Sequence, residues 1–259
     1  GCVVFVAVAL FDYRLLRAVA IPLYAAGLLA LAGLPAFGVT VNNARRWYDL
    51  GLVHVQPSEP MKYLLVIAFA DYFRLRAPVR RLRDLAAPVL MTGLAAGLVV
   101  LEPDLGTALV MVAVGGIMLF LGGVPWRNLA LLAAVGALAL GLMWFGEDLG
   151  LPSKVRLKDY QKMRVLSFLF PSRNPDTPAA YNAQQAMIAI NAGGLRGRGW
   201  GQGMLNRLGR IPERHTDFIF PVIAEEWGFE RTLPVVLIYV TLIWTMGRLA
   251  LRTREPFGR

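Results

Sequence analysis

Two acidic residues flank the apolar segment F-I-F-P-V-I-A at residues 218–224. Asp217 comes directly before the segment, and Glu225 follows it, eight positions after Asp217. Eight residues are a little over two helical turns, so both carboxylates fall near one helix face. Capping by Thr216 or Asp217 explains the first carboxylate, because the helix dipole favours negative charge at an N-terminus. The second is not expected as a stabilising device, because charges in membrane segments are costly and tend to mark functional paths.

A second charged pair opens another apolar segment, in Q-P-S-E-P-M-K at residues 56–62. Glu59 and Lys62 are three positions apart, which places both on one helix face. Ser58 suits the N-cap and Pro60 suits the first helical turn. Two interpretations stand here: a capped helix start with a surface ion pair, or a polar pair that faces a cavity between helices.

A third acidic pair lies in L-E-P-D-L-G-T, at residues 101–107. The proline and the glycine predict a tight turn between two apolar segments. Glu102 and Asp104 on such a turn are either solvated or part of a site, and the spacing does not distinguish the two.

Three basic stretches could receive an anion. They are R-R-W at 45–47, K-V-R-L-K-D-Y-Q-K-M-R at 154–164 and G-L-R-G-R-G-W-G-Q-G at 194–203. In the third stretch the glycines would let backbone N–H groups approach an oxyanion closely. A flexible surface loop has the same composition, so this pattern alone does not establish a binding site.

The elements that must position these residues are apolar helices. Hydrophobic residues make up 56% of the 259-residue chain, charged residues 17%, and the mean hydropathy is +0.52. Uncharged runs near the ~20 residues that a bilayer core requires recur along the chain. They occupy residues 18–38, 85–101, 106–124, 129–145 and 233–244, with a shorter run at 61–73 that contains Asp71. The sequence therefore predicts an all-α, polytopic transmembrane helical bundle and disfavours a soluble helical protein.

The charge pattern predicts the orientation of this bundle. Arginine clusters follow every second apolar run, at 14–17, 74–83, 127 and 248–254, which the positive-inside rule assigns to the cytoplasm. The loops at 39–60, 102–105 and 146–216 then face outward. The long loop carries 11 basic and 5 acidic residues, but long loops are exempt from the rule. We expect it to be partly helical, for example over 180–190. Basic residues divided between both sides disfavour a nucleic-acid binder.

Other features limit the class of protein. The chain opens on half a span, residues 2–11, without an initiator Met, so we expect a fragment of a single membrane domain covering 1–259. No secretory signal peptide is predicted. The single Cys excludes an internal disulfide and a cysteine metal cluster, and two His residues disfavour a histidine-rich metal site.

The motifs together resemble the SEDS family (shape, elongation, division and sporulation). The matching stretches are N-A-R-R-W at 43–47, Q-P-S-E at 56–59 with Lys62, E-P-D-L-G-T-A-L at 102–109, G-G-L-R-G-R-G-W at 193–200, P-E-R-H-T-D-F-I-F at 212–220 and A-E-E-W-G-F at 224–229. They follow the family order over nearly the whole chain. Arg214 before His215 is typical of the elongation branch, and the division branch is the near alternative. The resemblance implies ten spans, of which this chain would hold about six and a half.

The resemblance also implies a function. Family members polymerise peptidoglycan glycan strands from lipid II in the bacterial cytoplasmic membrane, with the active site on the outer side. Their partner is a class B penicillin-binding protein, a transpeptidase, within an elongation complex of membrane proteins. No cofactor is implied with certainty, and a divalent cation (Mg²⁺ or Mn²⁺) remains open.

Site residues are carried over by position. Asp217 matches the essential family aspartate, Glu59 and Lys62 match a functionally important pair, and Trp47 matches an aromatic position. Pro60, Met61, Met204 and Leu205 depart from the commoner family residues. As a hypothesis, Asp217 is the general base for the acceptor hydroxyl, while Glu59 and Lys62 shape the cavity. The candidates for binding the pyrophosphate are Arg46, Lys162, Arg164, Arg196 and Arg198. His215 and Asp104 are further substrate-binding candidates.

Two other functions compete with the polymerase. A lipid II flippase or transporter would also have many spans and intramembrane charges, but it would form no glycosidic bond. A structural scaffold for the transpeptidase would make Asp217 dispensable for chemistry. No inverted repeat is evident, which weighs against a transporter.

Overall fold

In the computed structural model the chain folds into helices with one small sheet. The structure describes residues 1–41, 44–51, 53–76, 82–102, 104–152, 156–157, 159–170, 178–209, 217–253, 255 and 257. The chain forms two compact units. The first unit contains Gly1–Ala137 and Leu249–Arg259, and the second contains Leu138–Arg248.

The first unit contains most of the predicted apolar helices, and the run at 233–244 belongs to the second. In the first unit their bounds are α1 Cys2–Leu10, α2 Leu16–Phe37, α3 Ser58–Arg76, α4 Ala86–Leu101, α5 Leu105–Leu121 and the first part of α6, Trp126–Trp144. The helix predicted at 61–73 continues through Asp71, because Arg74 pairs with its carboxylate one turn later, NH2 to Oδ1 at 2.8 Å. The predicted turn between α4 and α5 is confirmed.

Helices α2, α3, α4 and α5 enclose the core of the first unit. Its largest buried side chains include Leu31, Leu34, Met61, Phe69 and Met111. Small residues let the helices approach closely, as membrane helices require. At Gly115 an added Cβ would lie 2.5 Å from the Thr92 hydroxyl oxygen. By contrast, no residue of α6 is buried, so its apolar side chains are available to lipid.

A three-stranded antiparallel sheet joins α2 to α3, where the sequence analysis predicts no strand. Strands β1 (Val39–Val41), β2 (Ala44–Asp49) and β3 (His54–Val55) pair in the order β1-β2-β3. Val39 lies opposite Trp47, and Tyr48 opposite Val55. The sheet holds the R-R-W stretch in an extended conformation, so that successive side chains point to opposite faces.

The second unit contains the long loop and most of the last helix. Its elements after α6 are α7 Asp159–Leu169, α8 Pro178–Gly193, α9 Met204–Arg207 and α10 Ile219–Arg252. The prediction of a partly helical loop is confirmed, and α8 contains the helix expected at 180–190. Phe218 and Val222 pack on Ala189 of α8 and Leu205 of α9, which fixes the start of α10.

Within the described part of the chain, four helices are long and apolar enough to cross a membrane: Tyr13–Phe37, Leu82–Leu101, Trp126–Trp144 and Ile219–Ala250. Helix α5, Leu105–Leu121, is a shorter apolar helix. The last of the four exceeds the length that a bilayer core needs, and it is interrupted at Gly228, where φ is 73° and ψ is 178°. The residues after Gly228 alone would extend about 33 Å at 1.5 Å per residue, close to a bilayer core.

Candidate functional site

The interruption of α10 is filled by a loop from the same unit. In an unbroken helix Phe229 and Glu230 would donate their N–H groups to the carbonyls of Glu225 and Glu226. Here Phe229 donates to Gly194 at 2.9 Å and Glu230 to Leu195 at 3.1 Å. The carbonyls of Glu225 and Glu226 accept instead from the N–H groups of Arg198 at 3.1 Å and Gly199 at 2.9 Å. Residues 194–199 are thus inserted into the hydrogen-bond ladder of the helix.

Glycine is required at both sides of this insertion. Gly228 adopts a positive φ, and a Cβ on it would overlap the backbone of Arg196 and Gly197. A Cβ on Gly197 would in turn overlap the backbone of Glu226 and Trp227. We call residues 193–203 the glycine segment. Its backbone is held by hydrogen bonds to α10, whereas the sequence alone was also compatible with a flexible surface loop.

The carboxylates of Glu225 and Glu226 bind backbone N–H groups in α9 and in the rest of the glycine segment. Glu225 is fully buried, and its Oε1 accepts from the N–H of Leu205 at 3.0 Å. Glu226 Oε2 accepts from the N–H of Gly201 at 2.9 Å. The expectation that Glu225 is not a stabilising group is therefore wrong. It satisfies a buried backbone donor, which a carboxylate does strongly.

Asp217 lies at the exposed end of this assembly. It occupies a turn two residues before α10 begins, and its side chain is exposed. The next residue, Phe218, packs on α8 and α9, so the position of Asp217 is set by packed helices. His215 and Thr216 lie outside the described residues. An exposed carboxylate on a rigid support can accept a proton from a bound hydroxyl group.

The predicted basic residues of the second unit differ in their surroundings. Arg198 donates from Nε to the carbonyl of Ala192 at 3.0 Å, near the end of α8. Arg196 is exposed on the same segment. Lys162 on α7 lies 3.7 Å from a carboxylate oxygen of Glu147. Arg164 is also on α7, but its side chain lies outside the described ones.

In the first unit, Arg46 and Asp104, two residues named separately as substrate-binding candidates, lie close together. Arg46 NH1 lies 3.5 Å from Asp104 Oδ2, and its Nε donates to the carbonyl of Glu102 at 2.8 Å. Asp104 is also the N-cap of α5, where its Oδ1 accepts from the N–H of Thr107 at 3.2 Å. Arg46 therefore joins strand β2 to the turn between α4 and α5, and its neighbour Trp47 is half-buried on that strand.

Glu102 is a buried carboxyl that the sequence analysis left as a candidate for solvation. It is 5% exposed, and neither carboxylate oxygen has a hydrogen-bond partner among the described residues. Burial and, to a smaller extent, the charge of Asp104 raise its pKa to about 7, against the opposing effect of Arg46. The same carboxyl contributes, after burial, to the raised pKa of Tyr48. In the sequence, the only indication of this burial is that Glu102 lies at the end of an apolar run.

Glu59 and Lys62 form the predicted pair at the start of α3. Lys62 Nζ lies 2.9 Å from Glu59 Oε1 and 3.0 Å from Oε2. The Glu59 side chain is 55% exposed and that of Lys62 is 26% exposed. Helix α3 begins at Ser58 itself, whose hydroxyl accepts from Gln56 Nε2 at 2.9 Å. Among the described residues, no three His, Cys, Asp or Glu side chains are grouped so that they could hold a metal ion.

The sequence model of one family matches residues 1–259, the whole chain, under the description of a cell cycle protein of the FtsW, RodA and SpoVE type. The chain belongs to this family. Its SEDS membership and its all-α membrane fold are thereby confirmed.

Two relatives in this family illustrate both branches. The peptidoglycan glycosyltransferase MrdB of Escherichia coli (strain K12) is 34% identical over 259 residues, which are 100% of this chain and 67% of the relative. A probable peptidoglycan glycosyltransferase FtsW of Nitrosococcus halophilus is 38% identical over 237 residues, 90% of this chain and 58% of the relative. The chain thus spans about two thirds or less of the length of these relatives.

Solved structures of family members have the same fold. One reported for the structural coordination of polymerization and crosslinking by a peptidoglycan synthase complex matches with a TM-score of 0.74 at 34% identity, covering 98% of this chain and 67% of the other. The rod shape determining protein RodA of Thermus thermophilus matches with a TM-score of 0.62 at 30% identity, covering 99% and 64%. The family member described here is a multi-pass membrane protein.

Proposed function

We propose that this chain is the membrane core of a peptidoglycan glycosyltransferase that polymerises lipid II during cell-wall elongation. The relatives named as such glycosyltransferases support this reading. The structural observation that supports a catalytic site is the position of Asp217. Its exposed carboxylate lies just before α10, next to Phe218, which packs on α8 and α9. The division-branch polymerase remains the near alternative.

In the proposed reaction, Asp217 removes the proton from the 4-hydroxyl of the acceptor N-acetylglucosamine. That oxygen forms a bond to C1 of the donor N-acetylmuramic acid, while the bond from C1 to the pyrophosphate oxygen breaks. Undecaprenyl pyrophosphate leaves with the electron pair, and inversion turns an α-linked donor into a β-1,4 glycan. A positioned base of this kind contributes ~10²–10⁴-fold to the rate.

The leaving pyrophosphate requires positive charge directed at it. Arg196 and Arg198 are both exposed on the glycine segment, and we assign this role to Arg196 first, because the Nε of Arg198 already donates to the Ala192 carbonyl. Lys162, Arg164, Arg46 and His215 remain candidates. Glu59 and Lys62 contribute a charged pair to the substrate cavity, and Asp104 orients Arg46. A divalent cation is the alternative source of the positive charge that the pyrophosphate requires.

The setting of the reaction is also part of the proposal. We place the protein in the bacterial cytoplasmic membrane as one membrane domain over residues 1–259, with the loop 146–216 and Asp217 on the outer side. The arginine clusters after every second span support this orientation. A class B penicillin-binding protein is the proposed partner, because polymerisation must be coordinated with crosslinking. Other elongation-complex membrane proteins and membrane lipids are further proposed partners.

The test uses the full-length protein reconstituted in lipid vesicles with its transpeptidase partner. Labelled lipid II is added, the transpeptidase is blocked with a β-lactam, and the glycan chains are resolved on a gel. We expect polymer from the wild type and from Asp148→Asn, an exposed control in the same loop, but none from a folded Asp217→Asn protein. Polymer from Asp217→Asn would exclude that residue as the base. Transfer of lipid II across the bilayer with no polymer from any protein would favour a flippase.

A further inference from the structure

An exposed tryptophan is held rigidly on the glycine segment. Trp200 is 80% exposed, yet the residues on both of its sides are fixed by Glu226. The N–H of Gly199 donates to the Glu226 carbonyl at 2.9 Å, and the N–H of Gly201 donates to the Glu226 carboxylate at 2.9 Å. A large apolar side chain held outward on a fixed backbone is poised to contact another molecule.

Trp227, the residue after Glu226, extends the same surface. The rings of Trp200 and Trp227 lie 5.9 Å apart between centroids, at an interplanar angle of 33°. They line a cavity of about 540 Å³ with Glu230, Arg231 and Pro234. This volume is within the range of ligand pockets, ~300–1,000 Å³. We call these five residues the tryptophan pocket.

The charged members of the tryptophan pocket narrow the choice of ligand. Glu230 and Arg231 are both exposed, and within the described part of the chain neither side chain has a hydrogen bond or an ion pair. A carboxylate accepts hydrogen bonds from hydroxyl groups, and a guanidinium group donates them to hydroxyl and carbonyl oxygens. Two indole rings beside such a pair suit a ring with one C–H face and a polar edge, which describes a pyranose sugar.

The composition of the tryptophan pocket disfavours a lipid surface as its main contact. Tryptophan is common at membrane interfaces, but a carboxylate beside it would be costly to desolvate against lipid. The position suits a glycan, because the helical part of α10 between Asp217 and Trp227 is about 12 Å long at 1.5 Å per residue. A strand of a few sugars would span that length.

We propose that the tryptophan pocket is a saccharide subsite that binds an N-acetylated sugar of the growing glycan strand, away from the bond that is being formed. This rests on the proposed polymerase function. Trp200 and Trp227 stack on the sugar ring, and Glu230 and Arg231 bind its hydroxyl and N-acetyl groups. By retaining the strand between additions, the subsite favours long chains.

The first measurement is binding of a soluble probe, the β-1,4-linked tetramer of N-acetylglucosamine, to the full-length protein in nanodiscs. It is made on the Asp217→Asn background, so that binding is read without turnover. We expect Trp200→Ala to weaken binding about tenfold or more, and Glu230→Gln to weaken it less. Trp126→Ala is the control, because Trp126 is also exposed, at 72%, but belongs to the first unit.

The second measurement is the glycan length made by the active protein. We expect Trp200→Ala to make shorter chains, with an unchanged rate for the first glycosidic bond and an unchanged melting temperature. If probe binding and chain length match the wild type, the subsite is wrong. The subsite is also wrong if the sole effect of both Trp200→Ala and Trp126→Ala is weaker retention of the protein in the bilayer. The same holds if the sole effect of Trp200→Ala is weaker copurification with the transpeptidase. Failure of the wild type to polymerise would instead count against the proposed function, and the binding measurement would still report on the pocket.

Discussion

The backbone N–H of Phe229 donates to the carbonyl oxygen of Gly194 at 2.9 Å, where an uninterrupted helix would have used the carbonyl of Glu225. The two residues are 35 positions apart in the sequence. The N–H of Glu230 likewise donates to Leu195, and the carbonyls of Glu225 and Glu226 accept from residues of the glycine segment. The break in α10 therefore leaves none of these two N–H groups and two carbonyls unpaired. The glycine segment and the start of α10 therefore form one rigid support, with Asp217 at its exposed end.

This support should fail when Gly228 acquires a side chain. Gly228→Ala puts a Cβ into the backbone of Gly197 at a positive φ, so we expect a loss of ~3 kcal/mol or more and of polymerase activity. Thermal unfolding of the purified protein measures this. Gly247→Ala is the matched control, since Gly247 lies in the same helix with open space around it. Equal melting temperatures for the two variants would show that the backbone insertion does not matter for stability.

The buried carboxyl of Glu102 predicts a pH dependence of stability. Its pKa rises from an ordinary 4.5 to about 7 on folding, so the folded state holds a proton that the unfolded state releases. The stabilisation is complete below pH 4.5 and is lost as the pH rises through about 7, by at most ~3 kcal/mol. Glu102→Gln should flatten the melting temperature between pH 5 and 8, about the range in which Glu102 titrates. The same pH slope in both proteins would contradict the assignment.

The two roles of Asp104 can be separated. Asparagine caps helices as well as aspartate does, so Asp104→Asn should keep the cap of α5 and change the melting temperature little. It removes the charge that faces Arg46. If Asp104 serves the substrate through Arg46, polymerisation should fall about tenfold or more while stability holds, because charge-assisted bonds are worth roughly twice neutral ones. Full activity in Asp104→Asn would leave Asp104 as a helix cap alone.

A charge exchange tests the Glu59–Lys62 pair. As a partly exposed ion pair it is worth only ~0.2–1 kcal/mol, so neither single reversal should unfold the protein. If the pair only needs opposite charges, the double variant Glu59→Lys, Lys62→Glu should recover the activity that each single variant loses. If the position of each charge in the proposed substrate cavity matters, the double variant should stay inactive while its melting temperature recovers. Glycan gels measure the activity, and thermal unfolding measures the melting temperature.

Features that depend on neighbours in the chain could be predicted from the sequence alone. Continuous apolar runs predicted the helices, because a bilayer imposes length and polarity on each span separately. The i, i+3 spacing predicted the Glu59–Lys62 contact, and Pro103 with Gly106 predicted the turn before α5. The order of the motifs predicted the family. Each of these follows from a local period or a local backbone preference.

Contacts between groups that are distant in the chain could not be predicted and are seen only in the folded protein. The burial of Glu102, the hydrogen bond from Leu205 to Glu225 and the pairing of β1 with β2 depend on segments that approach in space. The glycines of residues 193–203 indicated that some backbone would come close, but not that α10 would open to receive it. The sequence does not show whether a carboxylate is solvated by water or bound to a buried N–H group. Its role depends on the partner that the folded chain brings to it.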